Sequence, residues 1–370
     1  MEADDEVHAP TFDESARDPD PANDNNVLRR LADAGELIAA IPAMLGFFPH
    51  RSLVVALLGP HPSKDGVQAI GAVSRFDIDS ATDPAETPGL TRVLKSICLS
   101  QNASSTLMIV VDDRPTGSTT ARNLLRHLAQ AGIEPSHAWW VKRIAAGTRY
   151  RDLLRPGHDG RVDDPRASTV AFAQVLDGHQ ISASRDELTD LLAPSLVLAD
   201  QVRSHLASAV ARYRDDLTAA YTPNRMREQQ RNRIMWVLYQ ISTAEELPSS
   251  AQDLATTVAL LRDRTIRDIM YGLARSEGRG AAEALWREIA SATDGYDRAE
   301  AATLFGYSAY FHGNTVVAGI AIATALDADP SHTMAALLEI ALGERLPADQ
   351  IRVLAEVGVS VAAELGIDIT

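Results

Sequence analysis

The chain has 370 residues, of which 45% are hydrophobic and only 5% aromatic. This length is enough for roughly two domains, and the small aromatic share favours packed helices over an all-β core. A formal net charge of -15 argues against general binding to nucleic acid or to an anionic membrane surface.

Much of the negative charge lies in the first 26 residues. They contain nine acidic side chains, one arginine (Arg17) and few apolar residues. A segment of this composition cannot bury enough apolar surface to fold by itself. We therefore predict that residues 1–26 form a disordered acidic tail.

The compartment follows from cysteine usage and hydropathy. Cys98 is the single cysteine, which excludes an internal disulfide and a cysteine-based zinc site. The N-terminus lacks a basic region followed by an apolar core. The most apolar long run, Val316–Leu326, is shorter than the roughly 20 residues that cross a bilayer. These features predict a soluble cytoplasmic protein that does not contact membranes.

Residues 27–183 alternate between helical and strand patterns, which predicts an α/β domain with one mixed sheet and flanking helices. Apolar spacing predicts a helix over Val27–Leu45 that ends at Gly46. The short link between the strands predicted at Ser52–Gly59 and Val67–Asp77 indicates an antiparallel hairpin. The other predicted strands are Ser105–Val111, Pro135–Ile144 and Gly147–Leu154. The other predicted helices are Pro88–Gln101, one capped by Ser118 or Thr119 that ends near Ala131, and a short one over Thr169–Leu176.

Helical patterns alone continue beyond this region, so we predict an all-α second domain over residues 184–370. Ser184 is the predicted cap of its first helix. The predicted helices are Arg185–Leu192, Ser195–Ala220, Asn224–Ile241, Ala251–Ala274, Ala281–Ala292, Asp297–Phe311, Thr315–Leu326, Ser331–Leu342 and Ala348–Leu365.

Part of this domain matches the 34-residue tetratricopeptide pattern, in which small residues lie where two helices touch. With Pro330 as the closing proline, the small positions hold Gly306, Ala318 and Ala325, and Gly313 makes the turn. We predict a helical hairpin here. Whether the domain forms a tetratricopeptide array stays open, because only one repeat is clear.

Four short motifs occur in order along the chain. They are Gly46-Phe47 with Pro49 and Ser52-Leu53-Val54, the Trp139-Trp140 pair, Ala183 to Leu188, and Ala325 to Pro330 followed by Ala335 to Leu338. Together they resemble an actinobacterial domain-of-unknown-function family, number 4192, over residues 30–345. The resemblance implies no reaction, substrate or cofactor. Many relatives carry a cysteine-rich loop after the tryptophan strand. Here Arg151–Gly160 has no cysteine, so no metal or redox role carries over.

The first candidate ligand-binding group is His50, Arg51 and Ser52, between a predicted helix and strand. A histidine and an arginine beside a hydroxyl suit anion binding or proton transfer. The alternative is a turn in which the serine bonds the backbone and the charges face water.

Asp112 and Asp113 form a second candidate group, because they follow a buried strand and precede a helix, where ligands gather in α/β sheets. They also suit Mg²⁺, although the alternative is a polar loop with a helix cap. Trp139 and Trp140 point to opposite faces of a strand. One is expected in the core. The other is either an exposed recognition platform or packed under a helix.

The candidate partner-binding group is the basic stretch Arg225, Arg227, Arg231 and Arg233. It suits an acidic partner or phosphates. Alternatively, it is a solvated face that pairs with neighbouring carboxylates such as Asp215 and Glu228.

The chain lacks HExxH, G-x-S-x-G, a phosphate-binding P-loop and G-x-G-x-x-G, so we predict no catalytic residues, no metal site and no cofactor. Our leading hypothesis is a non-catalytic protein-interaction or regulatory module, whose helical half binds a protein partner of unknown identity. The alternative is an enzyme or a small-ligand (anion or nucleotide) binding protein with a pocket in the α/β domain. A nucleic acid partner, through the arginine stretch, is not expected.

Overall fold

The computed structural model describes most of the chain. The described residues are 33–61, 64–83, 85–100, 103, 105–176, 181–219, 222–244, 249–344, 346 and 348–369. The acidic segment 1–26, predicted to be disordered, and the start of the helix predicted from Val27 lie outside them.

Six strands in the described part of the first half form one mixed sheet. They are β1 (Ser52–His61), β2 (Lys64–Asp77), β3 (Ser105–Val111), β4 (His137–Val141), β5 (Arg149–Asp152) and β6 (Gly160–Arg161). Their order is β2-β1-β3-β4-β5-β6. Only β3 and β4 pair in parallel among these strands.

Five helices accompany the sheet. They are α1 (Ala34–Leu45), α2 (Ile78–Thr82), α3 (Thr87–Ser100), α4 (Gly117–Gln130) and α5 (Thr169–Leu176). Helix α4 connects β3 to β4, because parallel neighbours need a crossover connection. The predicted mixed sheet and the β1–β2 hairpin are confirmed. The short elements α2 and β6 were not predicted from the sequence.

The predicted cap of α4 is wrong. Its N-cap is Thr116, which makes no side-chain capping bond, rather than Ser118 or Thr119. Helix α1, in contrast, has strong end signals. The Asp33 carboxylate accepts a bond from the Glu36 N–H, and Gly46 ends the helix with a φ of 75°, a conformation that glycine adopts without strain.

Alternate residues of β1 point into two cores, one on each face of the sheet. Leu53 and Val55 pack with α3 and α4. Val54 packs with α1 on the opposite face. Since both faces are covered, the central strands consist mostly of apolar residues.

The second half consists of helices in its described residues, which confirms the predicted fold class. They are α6 (Arg185–Asp190), α7 (Leu196–Ala219), α8 (Pro223–Thr243), α9 (Ala251–Leu261), α10 (Arg264–Met270), a 3-10 helix (Tyr271–Arg275), α11 (Arg279–Ala292), α12 (Gly295–Phe311), α13 (Thr315–Ala328), α14 (Thr333–Gly343) and α15 (Ala348–Glu364). Ser184 caps α6 as predicted, accepting a bond from the Glu187 N–H.

The single helix predicted over Ala251–Ala274 is wrong. The Asp263 side chain accepts bonds from the N–H groups of Thr265 and Ile266. This capping starts a new helix, because it satisfies N–H groups that would otherwise need carbonyls one turn earlier.

Helices α12 and α13 form the predicted hairpin. Gly313 makes the turn with a φ of 78°, and Ala318 and Ala325 are fully buried. A Cβ on Gly306 would lie 2.9 Å from Cδ1 of Ile322, so the glycine permits the close helix contact. Helix α15, however, packs on α10 and the 3-10 helix. The end of the chain therefore does not simply extend a linear stack of repeats.

The two halves share one hydrophobic cluster. Leu188 of α6 and Ile320 of α13 join the core that α1 forms on the sheet. The domain boundary near residue 184 stays a prediction. None of the helices in the described residues has the length and apolar content that crossing a membrane requires.

Candidate functional site

The structure brings five of the predicted ligand-binding residues, namely His50, Arg51, Ser52, Asp112 and Asp113, to one edge of the sheet. His50 Nε2 lies 3.5 Å from Asp113 Oδ1, and both side chains are well exposed. Arg51 has a φ of 43°, an uncommon conformation for a residue other than glycine, and its guanidinium is ion-paired with Asp79. The side chain of Asp112, in contrast to those of His50 and Asp113, is buried.

The Asp112 carboxylate is fully buried and already paired. Arg114 donates to both of its oxygens, from Nε to Oδ1 at 2.8 Å and from Nη2 to Oδ2 at 2.8 Å. Arg114 also donates to Asp79 at 2.7 Å. The hydrogen bond to Asp112 raises the pKa of Arg114, and the bond from Arg51 lowers the pKa of Asp79. These residues form a chain of ion pairs that compensates its own charges.

Ser52 is also engaged locally. Its fully buried side chain donates to the His50 carbonyl at 2.7 Å and accepts from Arg75 Nε at 2.7 Å. The adjacent cleft of about 310 Å³ contains balanced charges. Its arginines are Arg51, Arg75 and Arg185, and its carboxylates are Asp77, Asp79 and Asp186. The predicted residues therefore converge, but this edge has little net charge with which to attract an anion. No group of three or more His, Cys, Asp or Glu side chains in the described residues stands in metal-binding geometry.

Neither tryptophan forms an exposed recognition platform, which corrects that alternative. Trp139 is 4% exposed and Trp140 is 8% exposed, and they belong to the cores on opposite faces. The Trp140 indole N–H donates to the Asp112 carbonyl at 3.2 Å. Trp140 is thus an anchor for the loop after β3.

The basic stretch of α8 is not one free cationic face. Arg227 donates to the Glu364 carbonyl. Arg231 donates to the carbonyls of Leu365 at 2.9 Å and Gly366 at 2.6 Å. Arg233 lies over the Tyr213 ring, and Arg225 is exposed. At least two of the four arginines therefore bond the carboxyl end of α15, and a role of the four in partner binding stays a prediction.

A larger cleft, of about 620 Å³, lies on β4, β5 and β6. We call it the cationic cleft. Its charged lining consists of Lys142, Arg149, Arg151, Arg161 and Asp159, and its aromatic lining consists of Trp140 and Tyr150.

Strand pairing creates the cationic cleft. Arg151 lies opposite Trp140 in the β4–β5 register, and Arg149 lies opposite Arg161 in the β5–β6 register. Because residues two apart on a strand share a face, Arg149, Arg151 and Arg161 all point to the side of the sheet that carries Trp140. Lys142, two residues beyond Trp140, adds a fourth cation.

The positive charges of this cleft are not neutralised by neighbours. None of the four cations is in an ion pair with a carboxylate of the described residues. Arg151 lies 5.6 Å from the Trp140 ring centroid and is 3.4 Å from Ser118 Oγ, and Arg161 donates to the Gly147 carbonyl at 2.7 Å. Four cations and one carboxylate leave a local excess of three positive charges in an acidic protein.

These four residues are not among the predicted site residues, although the sequence contains a signal for them. Arg149 and Arg151 alternate with Tyr150 and Asp152, so a strand here must place both arginines on one face. The contribution of Arg161 depends on β6, a two-residue strand that leaves no periodicity to detect.

Fold and site together define a two-part protein, with a cationic cleft on a mixed sheet and a helical second half. The chain belongs to the family described as Domain of unknown function (DUF4192), whose model matches residues 35–349. The family resemblance predicted from the motifs is confirmed. Neither the curated proteins nor the solved structures gave a match to this chain.

Proposed function

We propose that the protein binds a small anionic ligand in the cationic cleft, with several negative charges, such as a nucleoside polyphosphate. The observation that carries this proposal is the excess of three positive charges on one sheet face. Unpaired cations that line a concave surface raise the local concentration of anions, and arginine suits phosphate because its donors are arranged as a fork.

The size and lining of the cleft support a ligand larger than inorganic phosphate. Its volume of about 620 Å³ falls within the usual range for small-molecule sites. Trp140 lines the cleft next to Arg151, whereas the Tyr150 ring packs in the core on the opposite face of the sheet. This proposal concerns binding and assigns no reaction.

Isothermal titration calorimetry with ATP, pyrophosphate and adenosine tests the proposal on the full chain. We expect ATP and pyrophosphate to bind and adenosine to bind far more weakly, with affinities that fall as salt is added. Arg149→Gln and Lys142→Gln should each weaken ATP binding about tenfold, since each removes a charged contact.

Arg143→Gln is the matched control. Arg143 is exposed next to Lys142 but does not line the cleft, so its variant should keep the wild-type affinity. Equal binding of adenosine and ATP, or equal losses in all three variants, would contradict the proposal.

We propose a second function for the helical half, the binding of a protein partner. Apolar side chains exposed on α14 and α15 support it, namely Leu337, Ile340, Val353 and Val357, which are 51% to 60% exposed. Leu337 and Ile340 are three residues apart on α14, and Val353 and Val357 are four apart on α15, so each pair lies on one helix face. Exposed apolar side chains that share a face favour association. Affinity purification with wild-type and Ile340→Glu baits tests it, because the partner should be captured only by the wild type. Recovery of the same proteins by both baits would refute it.

The cytoplasmic location is part of the same proposal and rests on the single cysteine. An actinobacterial origin rests on the motif resemblance.

A further inference from the structure

A second cleft, of about 360 Å³, lies in the helical half between α7 and α8. Both helices pack on α9, which supplies Leu260 to the cleft. Arg212 and Tyr213 line it from α7. Gln229, Arg233 and Trp236 line it from α8, and their spacing of four and three residues puts them on one stripe of the helix. We call this the α7–α8 cleft.

The stripe on α8 contains three polar atoms without hydrogen-bond partners. Gln229 Oε1, Arg233 Nη2 and Trp236 Nε1 are each shielded from solvent, and none has a partner. Buried polar atoms in native proteins nearly always have a protein, water or ligand partner. Three such atoms on one helix stripe, beside one cleft, therefore indicate that a complementary group binds there.

Arg233 shows most clearly what the complementary group must be. Its guanidinium lies 4.7 Å from the Tyr213 ring centroid, and no carboxylate of the described residues forms an ion pair with it. The nearby Asp263 carboxylate accepts the Tyr213 hydroxyl at 2.7 Å. Arg212 and Asp216 also line the cleft, so its charged side chains leave one net positive charge. A partly buried cation that forms no ion pair favours an anionic ligand.

We propose that the α7–α8 cleft binds a carboxylate that carries an apolar stem and an adjacent N–H, the chemistry shared by a peptide's carboxyl terminus and a free N-acyl amino acid. The carboxylate accepts from Arg233 Nη2 and from Trp236 Nε1. The ligand N–H donates to Gln229 Oε1. The stem packs on Leu260 and the aromatic rings. Because the three protein atoms are shielded, the long Arg233 and Gln229 side chains must turn to admit the ligand.

The test follows the indole N–H signals of the ¹⁵N-labelled full chain, which has four tryptophans. Trp236→Phe identifies the Trp236 signal by its loss. The probes are acetyl-Ala-Ala-Leu and acetyl-leucine, each as the free acid and as the carboxamide. We expect the acids to shift the Trp236 signal and to bind about tenfold more tightly than the amides, because a bond between charged groups is lost in the amide.

The two possible sources of the ligand are separated by the acid probes. Tighter binding of acetyl-Ala-Ala-Leu than of acetyl-leucine assigns the cleft to a peptide terminus, and equal binding assigns it to a small free acid. Both results support the carboxylate site.

Two variants and a control complete the test. Arg233→Gln and Trp236→Phe, checked for native folding by circular dichroism, should each lower the affinity for the acids about tenfold. For Trp236→Phe the affinity is measured by calorimetry. Arg214→Gln removes an exposed charge of α7 outside the cleft and should leave binding unchanged.

The proposal is overturned if the acids leave the Trp236 signal unmoved up to about 10 mM, or if acids and amides bind equally. This inference is independent of the cationic cleft, which none of these variants touches.

Discussion

Gly358 of α15 packs directly against Gly272 of the 3-10 helix. A Cβ on Gly358 would lie 2.8 Å from the Gly272 backbone nitrogen and 2.8 Å from the Asp268 carbonyl oxygen. A Cβ on Gly272 would lie 3.0 Å from the Val359 nitrogen. The two backbones approach so closely that neither position accepts a side chain. This contact determines how the last helix docks on the domain.

Gly358→Ala should therefore destabilise the protein, although alanine is the better helix former. We expect a loss of about 1–3 kcal/mol from overpacking, against a gain of at most about 1 kcal/mol from helix propensity. Urea unfolding followed by circular dichroism measures the difference. Gly319→Ala is the control, because Gly319 lies within α13 and a Cβ there meets nothing within 4 Å. It should leave stability unchanged or raise it. Equal effects of the two substitutions would disprove the packing argument.

The second prediction also concerns the docking of α15, and it involves the arginines of α8. Arg231 donates to two carbonyls at the carboxyl end of α15, where unpaired carbonyls and the helix dipole favour a cation. Arg231→Ala should lower the free energy of unfolding by about 0.5–1 kcal/mol. Arg225→Ala removes an exposed arginine of the same helix and should have little effect. Added salt should reduce the difference between the variants, and a salt-independent difference would contradict this explanation.

Elements whose signals are local could be predicted from the sequence. The bounds of β3 and α5 match their predictions, because an apolar run or a helical period defines each within a few residues. The break at Asp263 could not be predicted with equal certainty. An aspartate within an apolar helical pattern is compatible with a surface position as well as with a cap, and tertiary packing decides between them.

The candidate site was harder to predict, because side chains from distant parts of the chain decide whether a charge is available. Arg51 and Asp112 were chosen correctly as neighbours of one sheet edge. Their neutralisation depends on Asp79 and Arg114, which approach them only in the folded chain. Conversely, the cationic cleft depends on the pairing of Arg149 with Arg161, and the register between strands is not contained in either strand alone.

The cationic cleft gives a third prediction through Gly160 of β6. Tyr150 lies directly over Gly160, where an added Cβ would be 2.7 Å from Cζ of the Tyr150 ring. The ring packs in the core on the face opposite the cations, so Gly160→Ala should push β6 away from β5 and displace the neighbouring Arg161, which lines the cleft. We therefore expect ATP affinity to fall several-fold, about 1 kcal/mol. Calorimetry measures the affinity. Gly59→Ala, where a Cβ meets nothing within 4 Å, should bind ATP as the wild type does. Unchanged affinity in Gly160→Ala would show that the position of β6, and with it Arg161, does not contribute to ATP binding.

The last prediction concerns the pH dependence of stability through Glu283 of α11. Burial raises the pKa of this carboxyl group, and Ser308 Oγ donates to its Oε1 at 2.6 Å. Because the pKa is higher in the folded than in the unfolded state, Glu283 favours folding below its unfolded pKa, near 4.3. That contribution is lost as the pH rises through the folded value.

Glu283→Gln keeps an acceptor for Ser308 but does not ionise. The free energy of unfolding of this variant, relative to the wild type, should therefore increase between about pH 4 and pH 7. Urea unfolding at several pH values measures it, with Glu277→Gln as a control for losing one exposed charge. If the difference stays constant or decreases as the pH rises, burial does not govern the ionisation of Glu283.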